Sequence, residues 1–208
     1  MGPLLGHGQA AAGAPRRREL ARAGLAGGAA LALWGGWRLA AAPAARAEDR
    51  DELFALVAVE QALALAYAIA RSRPGLDAGT RRLLGVLHDH ERRHAEALGG
   101  LVRASQGTLP PEPRRLSDVD HYLPGLGAAR GAREILAFAV GLEAVGLAAQ
   151  AQALGRLTDG RAIQTVASIT AAEGQHLVAL RLARGREPLP EALETGTYSP
   201  RRSAPGIP

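Results

Sequence analysis

Four stretches of the chain repeat apolar residues every three to four positions, the spacing of one helix face. The first runs from about Asp51 to Ser72, with Leu53, Leu56, Val57, Glu60, Leu63, Ala64 and Tyr67 on one side. The second, from about Ala78 to Ala104, aligns Leu84, Leu87, Glu91, His94, Leu98 and Leu101. The third, from about Arg130 to Leu157, aligns Ile135, Leu136, Ala139, Val140, Glu143, Gly146, Leu147 and Gln150. The fourth ends near Arg184 and aligns Ile163, Val166, Ile169, Glu173, His176, Leu177 and Leu180. Each apolar stripe thus carries a glutamate at its middle, and two also carry a histidine three residues further on.

Punctuation between the stretches predicts their connections. Arg73-Pro74-Gly75-Leu76-Asp77 reads as a turn ending in an N-cap, and Thr158-Asp159-Gly160 as a second tight turn. Residues 106–129, with Pro110, Pro111, Pro113, Pro124, Gly125 and Gly127, read as a long connection containing His121 and Tyr122 as loop residues. Gly107 is expected to end the second helix. Residues 185–208 hold five prolines and read as an extended tail. Ala and Leu dominate the apolar residues and favour helix, so the predicted fold is all-α: an antiparallel four-helix bundle of two hairpins joined by a long crossover.

The spacing places the glutamates at one level. Glu60 lies 15 residues before Gly75 and Glu91 lies 16 after it, each about 22–24 Å from the turn at about 1.5 Å per residue. Glu143 and Glu173 each lie 15 residues from Thr158. The halves look duplicated, with an offset of 83 from Glu60 to Glu143 and of 82 from Glu91 to Glu173 and from His94 to His176. Packed face to face, the hairpins bring four carboxylates and two imidazoles together. Such a cluster buried without counter-charge would protonate, whereas two divalent cations neutralise it. The competing reading, structural ion pairs with Arg92, Arg93 or Arg133, is weakened because those arginines fall on other helix faces. His88 and His90 fall at the edges of the second stripe, as solvent-side residues or as neighbours of the ligands.

Charge and composition narrow the rest. The chain has no Cys, which excludes disulfides and thiolate metal sites. Six of its 25 basic residues and one of its 20 acidic ones lie in residues 1–47, leaving 19 of each in the remainder. That balance argues against nucleic-acid binding despite a pI near 10.8. Residues 1–47 themselves read as an export signal. Arg16-Arg17-Arg18-Glu19-Leu20 precedes a mildly apolar run from Leu20 to Ala42, and Ala45-Arg46-Ala47 offers a cleavage site after Ala47. The pair Arg17-Arg18 resembles a twin-arginine signal, which implies the twin-arginine translocase as partner and export across the cytoplasmic membrane. The alternative is an uncleaved N-terminal membrane anchor.

Glu60, Glu91-x-x-His94, Glu143 and Glu173-x-x-His176 together resemble the di-iron carboxylate motif of the ferritin-like superfamily, in the order of bacterioferritin and rubrerythrin-type bundles. The resemblance covers about residues 50–184, within an expected bundle domain of residues 48–184. It implies that Glu91 and Glu173 bridge two metal ions, that Glu60 and Glu143 are terminal carboxylates, and that His94 and His176 give one nitrogen to each ion. Tyr67, on the ligand stripe, is a candidate neighbour of the ligands. The expected cofactor is a pair of divalent ions, iron first and manganese second, because manganese catalases share the superfamily. The expected chemistry is oxidation of Fe(II) by O2 or H2O2, with peroxide dismutation and a non-catalytic metal-stapled bundle of the cell envelope as rivals. Haem is not expected, since the only Met is Met1. A homo-oligomer is compatible with the pattern, but no fifth helix of a storage cage is evident after Gly185.

Overall fold

The computed structural model describes residues 49–190 and 192–196. Arg17, Arg18 and Ala47, with the rest of the predicted signal, lie outside the described residues, as do residues 197–208 of the tail. Four long helices carry the fold: α1 (Arg50–Arg71), α2 (Ala78–Ala104), α4 (Gly131–Leu154) and α5 (Gly160–Ala183), with a single short turn of helix, α3 (Leu116–Asp120), inside the crossover. Among the described residues there is no strand. The crossover was expected to be irregular throughout. Its five-residue helix is too short for a periodic signal, and it forms because Asp118 accepts from the backbone N–H groups of Arg114 and Arg115. Val119 and Leu126 anchor the crossover in the core, and Tyr122 packs against it.

Turn chemistry sets the two hairpins. Gly75 holds the left-handed φ of +78° in the first turn, and Asp77 caps α2 by accepting from Thr80 N at 2.9 Å. Asp159 caps α5, accepting from the N–H groups of Arg161 and Ala162. Helix α4 stops at Leu154, earlier than the expected Leu157. From Gly155 onward the backbone tightens, with Gly155 N bonding Gln152 O and both Arg156 N and Leu157 N bonding Ala153 O. The left-handed residue after α2 is Gln106, at φ 59°, rather than Gly107.

Within each hairpin the helices pack along their length, α1 on α2 and α4 on α5, and the hairpins meet through α1 on α4 and α2 on α5. The predicted stripes form the interior: Leu53, Leu63, Leu84, Leu98, Ile135, Val166, Leu177 and Leu180 are all 0% exposed. Gly146 of α4 lies against Leu63 of α1. A Cβ there would lie 3.0 Å from Leu63 Cδ2 and 3.8 Å from Glu173 Oε2. A glycine inside a helix costs about 1 kcal/mol relative to alanine, offset here by the room it leaves for Leu63. Helices α1 and α4 are long and apolar enough to cross a bilayer by composition, but most of that apolar surface is buried inside the bundle.

One buried carboxylate ties the ends of the fold together. Asp49, 1% exposed at the start of α1, accepts from Thr158 N at 2.9 Å, Thr158 Oγ1 at 3.1 Å and Asp159 N at 2.6 Å. Two of those donors are backbone groups of the α4–α5 turn, left without this acceptor in Asp49→Ala. That variant is expected to lose about 2 kcal/mol of stability. A urea midpoint that drops at unchanged slope is the measurement.

Candidate metal centre

The six predicted residues converge at mid-bundle. Glu60 from α1, Glu91 and His94 from α2, Glu143 from α4, and Glu173 and His176 from α5 form two overlapping groups: Glu60, Glu91, His94 and Glu173, and Glu91, Glu143, Glu173 and His176. Within each group one donor atom per residue lies within 4.8 Å of all the others. All four glutamates are 0% exposed and His176 is 4% exposed, so these five donors are cut off from bulk water, while His94 is only partly buried.

The distances have a two-fold pattern. His94 Nδ1 stands 3.5 Å from Glu60 Oε2, 3.2 Å from Glu91 Oε2 and 3.2 Å from Glu173 Oε1. His176 Nδ1 stands 3.1 Å from Glu91 Oε1, 3.2 Å from Glu143 Oε2 and 3.5 Å from Glu173 Oε2. Glu91 and Glu173 therefore give one oxygen to each histidine, whereas Glu60 and Glu143 each face one histidine. A ring nitrogen carries at most one proton and cannot serve three oxygens. Glu60 Oε2, Glu91 Oε1 and both oxygens of Glu173 have no aligned hydrogen-bond donor although they are buried. Unserved oxygens and imidazole nitrogens spaced about 3 Å apart around two points suit cations, and carboxylate–imidazole donor sets suit iron, manganese or zinc. Among the described residues no arginine pairs with these acids, so the arginine ion-pair reading has no support.

Two further residues orient the terminal glutamates. Tyr67 donates a short hydrogen bond to Glu143 Oε1. Gln150 Nε2 donates to Glu60 Oε1 at 2.6 Å, and Gln150 is itself 0% exposed. Tyr67 stands seven residues after Glu60 and Gln150 seven after Glu143, so each half of the repeat holds the other half's glutamate. Gln150 was visible only as a residue in phase; the offset of 83 that relates Glu60 to Glu143 maps Tyr67 onto it. His90 reaches His176, whose Nε2 lies 2.9 Å from His90 Nδ1. His88 instead pairs with its neighbour Asp89 at 3.1 Å, and His121 is an exposed loop residue edge-on to Tyr122.

Without a cation the cluster holds protons. Burial raises the Glu60 carboxyl well above the usual range; the neighbouring His94 opposes this, and the charges of Glu173 and Glu91 reinforce it. Burial raises Glu143 likewise, reinforced by Glu173. At Glu173 burial also pushes upward, but the neighbouring Glu143, His176 and His94 groups outweigh it and hold the carboxyl below its ordinary value. Burial disfavours the imidazolium of His94, yet the carboxylates of Glu173, Glu60 and Glu91 gathered around it push it up to about 12. His176 is raised for the same kind of reason, burial being overcome by the charge of Glu143 and hydrogen bonds to Glu143, Glu173 and Glu91. Burial and the nearby acids raise the Tyr67 phenol, so it stays a donor at neutral pH.

The family model for the ferritin-like domain matches residues 48–186, two thirds of the chain and every residue of this centre. The chain belongs to the ferritin-like family. No curated protein matches it. Among solved structures, this ferritin-like chain is similar to a protein from Bacillus halodurans described as a spore coat protein. The two are 18% identical, the match covers 72% of this chain and 94% of that one, and the TM-score is 0.54. At that identity the likeness shows the shared fold. The ferritin-like bundle and a carboxylate–histidine cluster able to bind metal ions are thus both present.

Proposed function

We propose that this ferritin-like protein holds two divalent ions, iron first, and oxidises Fe(II) with O2 or H2O2. The observation that carries the reading is the sharing of Glu91 and Glu173 between the two histidines, each carboxylate facing both. Glu91 and Glu173 would span the ions, with Glu60 and His94 completing one coordination set and Glu143 and His176 the other. A pair of Fe(II) ions held by these residues would supply the two electrons, one from each ion, that with two protons reduce O2 to H2O2 or H2O2 to two waters. The chain supplies the setting for that exchange. Four carboxylates match the charge of two divalent ions, and the histidines present Nδ1 to them. Tyr67 and Gln150 fix the swing of Glu143 and Glu60, and the leucine-lined bundle limits water.

Anaerobic protein loaded with two equivalents of Fe(II) and then exposed to O2 or H2O2 tests this, by iron content and by the rise of Fe(III) absorbance. Protein that retains no iron, or retains Fe(II) and leaves it reduced, sinks the reading. Oxygen release from H2O2 by manganese-loaded protein alone would transfer the assignment to peroxide dismutation. Metal-dependent melting without turnover of either kind would leave a stapled bundle.

Export through the twin-arginine translocase belongs to the same proposal, with cleavage after Ala47. Supporting it, the family match begins at residue 48, directly beyond that site. The route carries folded proteins, so the ions would be loaded in the cytoplasm. N-terminal sequencing of protein recovered from the producing cell should begin at Glu48; an intact leader in the membrane fraction would instead support the anchor.

A further inference from the structure

The two halves of the centre are alike in their ligands and unlike in what stands behind them. His176 presents Nδ1 to the carboxylates and has its Nε2 2.9 Å from His90 Nδ1, the rings stacked with centroids 5.1 Å apart. The polar contacts of His94 all run through Nδ1, toward Glu60, Glu91 and Glu173. The His176 side chain is 5% exposed and that of His94 13%. The terminal carboxylates differ too: Glu143 takes a phenol proton from Tyr67, and Glu60 an amide proton from Gln150.

We propose that His90 is a positioning residue for His176 and that it makes the Glu143–His176 half the tighter of two unequal metal-binding halves. The inference rests on the two-metal reading above. When His176 gives its Nδ1 lone pair to a cation, its proton sits on Nε2 and donates to His90 Nδ1. That bond fixes both the tautomer and the angle of the ring, which stays pre-set for the ion. Nothing comparable among the described residues restrains the ring of His94. His90 belongs to neither ligand group and is half-buried on α2, while His176 is on α5. It therefore acts from one hairpin on a ligand of the other; its ring lies nearer to His176, at 5.1 Å between centroids, than to His94, at 6.5 Å.

Co(II) titration of the full chain, followed by calorimetry and by the visible spectrum of bound Co(II), tests this without turnover. The expected native result is two ions per chain in two resolved steps, with the tight step lost in Glu143→Gln and kept in Glu60→Gln. His90→Ala should weaken the tight step by about 10–100-fold and leave the other step unchanged. His90→Asn places an amide oxygen where Nδ1 stood and should restore the tight step. A cooperative melt of each metal-free variant shows that it folds, and rescue by asparagine separates positioning from a folding defect. Two indistinguishable native steps, equal weakening of both steps or of neither, or no restoration by asparagine overturns the inference. A native chain that takes up no Co(II) overturns the two-metal reading instead.

Discussion

Replacing Glu173 by glutamine should abolish retention of both ions, whereas Glu60→Gln should cost only one. The difference follows from where the oxygens point. Glu173 has Oε1 3.2 Å from His94 and Oε2 3.5 Å from His176, so both coordination sets lose an anionic oxygen at once. Glu60 faces His94 alone. Elemental analysis after dialysis gives the stoichiometry, and melting with and without metal gives the energy. An ion present at about 100 times its Kd stabilises the folded state by about 2.7 kcal/mol. Two ions should then raise the melting temperature by about 10–20 °C in the native chain. In Glu173→Gln that rise should vanish. The comparison is internal to each variant, so any metal-free stability lost with the counter-charge of His94 and His176 drops out. A glutamine variant that keeps two ions would show that Glu173 is not shared.

The second large effect is in protons. Glu60, Glu143, His94 and His176 all hold their protons more firmly in the folded, metal-free protein than in the unfolded chain. Two divalent ions need all four as unprotonated donors, so loading near pH 7 should release protons from the cluster. Calorimetry in buffers of different ionisation enthalpy counts them. The same shifts set the pH dependence of the metal-free bundle. Groups raised on folding bind more protons folded than unfolded, so stability falls as pH rises. The glutamates contribute from about pH 4.3 upward and His94 from about 6.5 to about 12. His90, lowered by burial and by the positive charges of His176 and His94, contributes in the opposite sense near and below 6.5. Glu173, held low, is ionised in both states throughout this range and acts only below it. Metal-free stability should therefore decline from about pH 5 to 9, and bound metal should flatten or reverse that slope. A rise with pH without metal would contradict the proton count.

Much of this was readable from residue order because a helix converts spacing into direction. Glu91 and His94, or Glu173 and His176, share a face whatever the helix packs against, and equal distances from two turns put four glutamates at one level. The apolar stripes around Leu84, Ile135 and Val166 became the core for the same reason. What escaped depends on how helices rotate against one another. Gln150 reaches Glu60 from α4 to α1, and His90 reaches His176 from α2 to α5. Neither contact leaves a periodic trace along one helix. The internal repeat held the missing clue for Gln150, since it is the counterpart of Tyr67, but a phenol and an amide do not resemble each other in a sequence. The helix at Leu116–Asp120 escaped because one turn held by a local aspartate, between prolines, carries no repeat at all.

If the chain is cut after Ala47 as proposed, Asp49 leaves it a narrow margin at its front edge. The side chain that latches the start of α1 to the far turn stands only two positions beyond Ala47. Trimming by a single residue past that point would leave the latch in place, and trimming by two would remove it. Careless processing, or an expression clone begun slightly too late, would yield a bundle with every metal ligand intact and its two hairpins unfastened at one end.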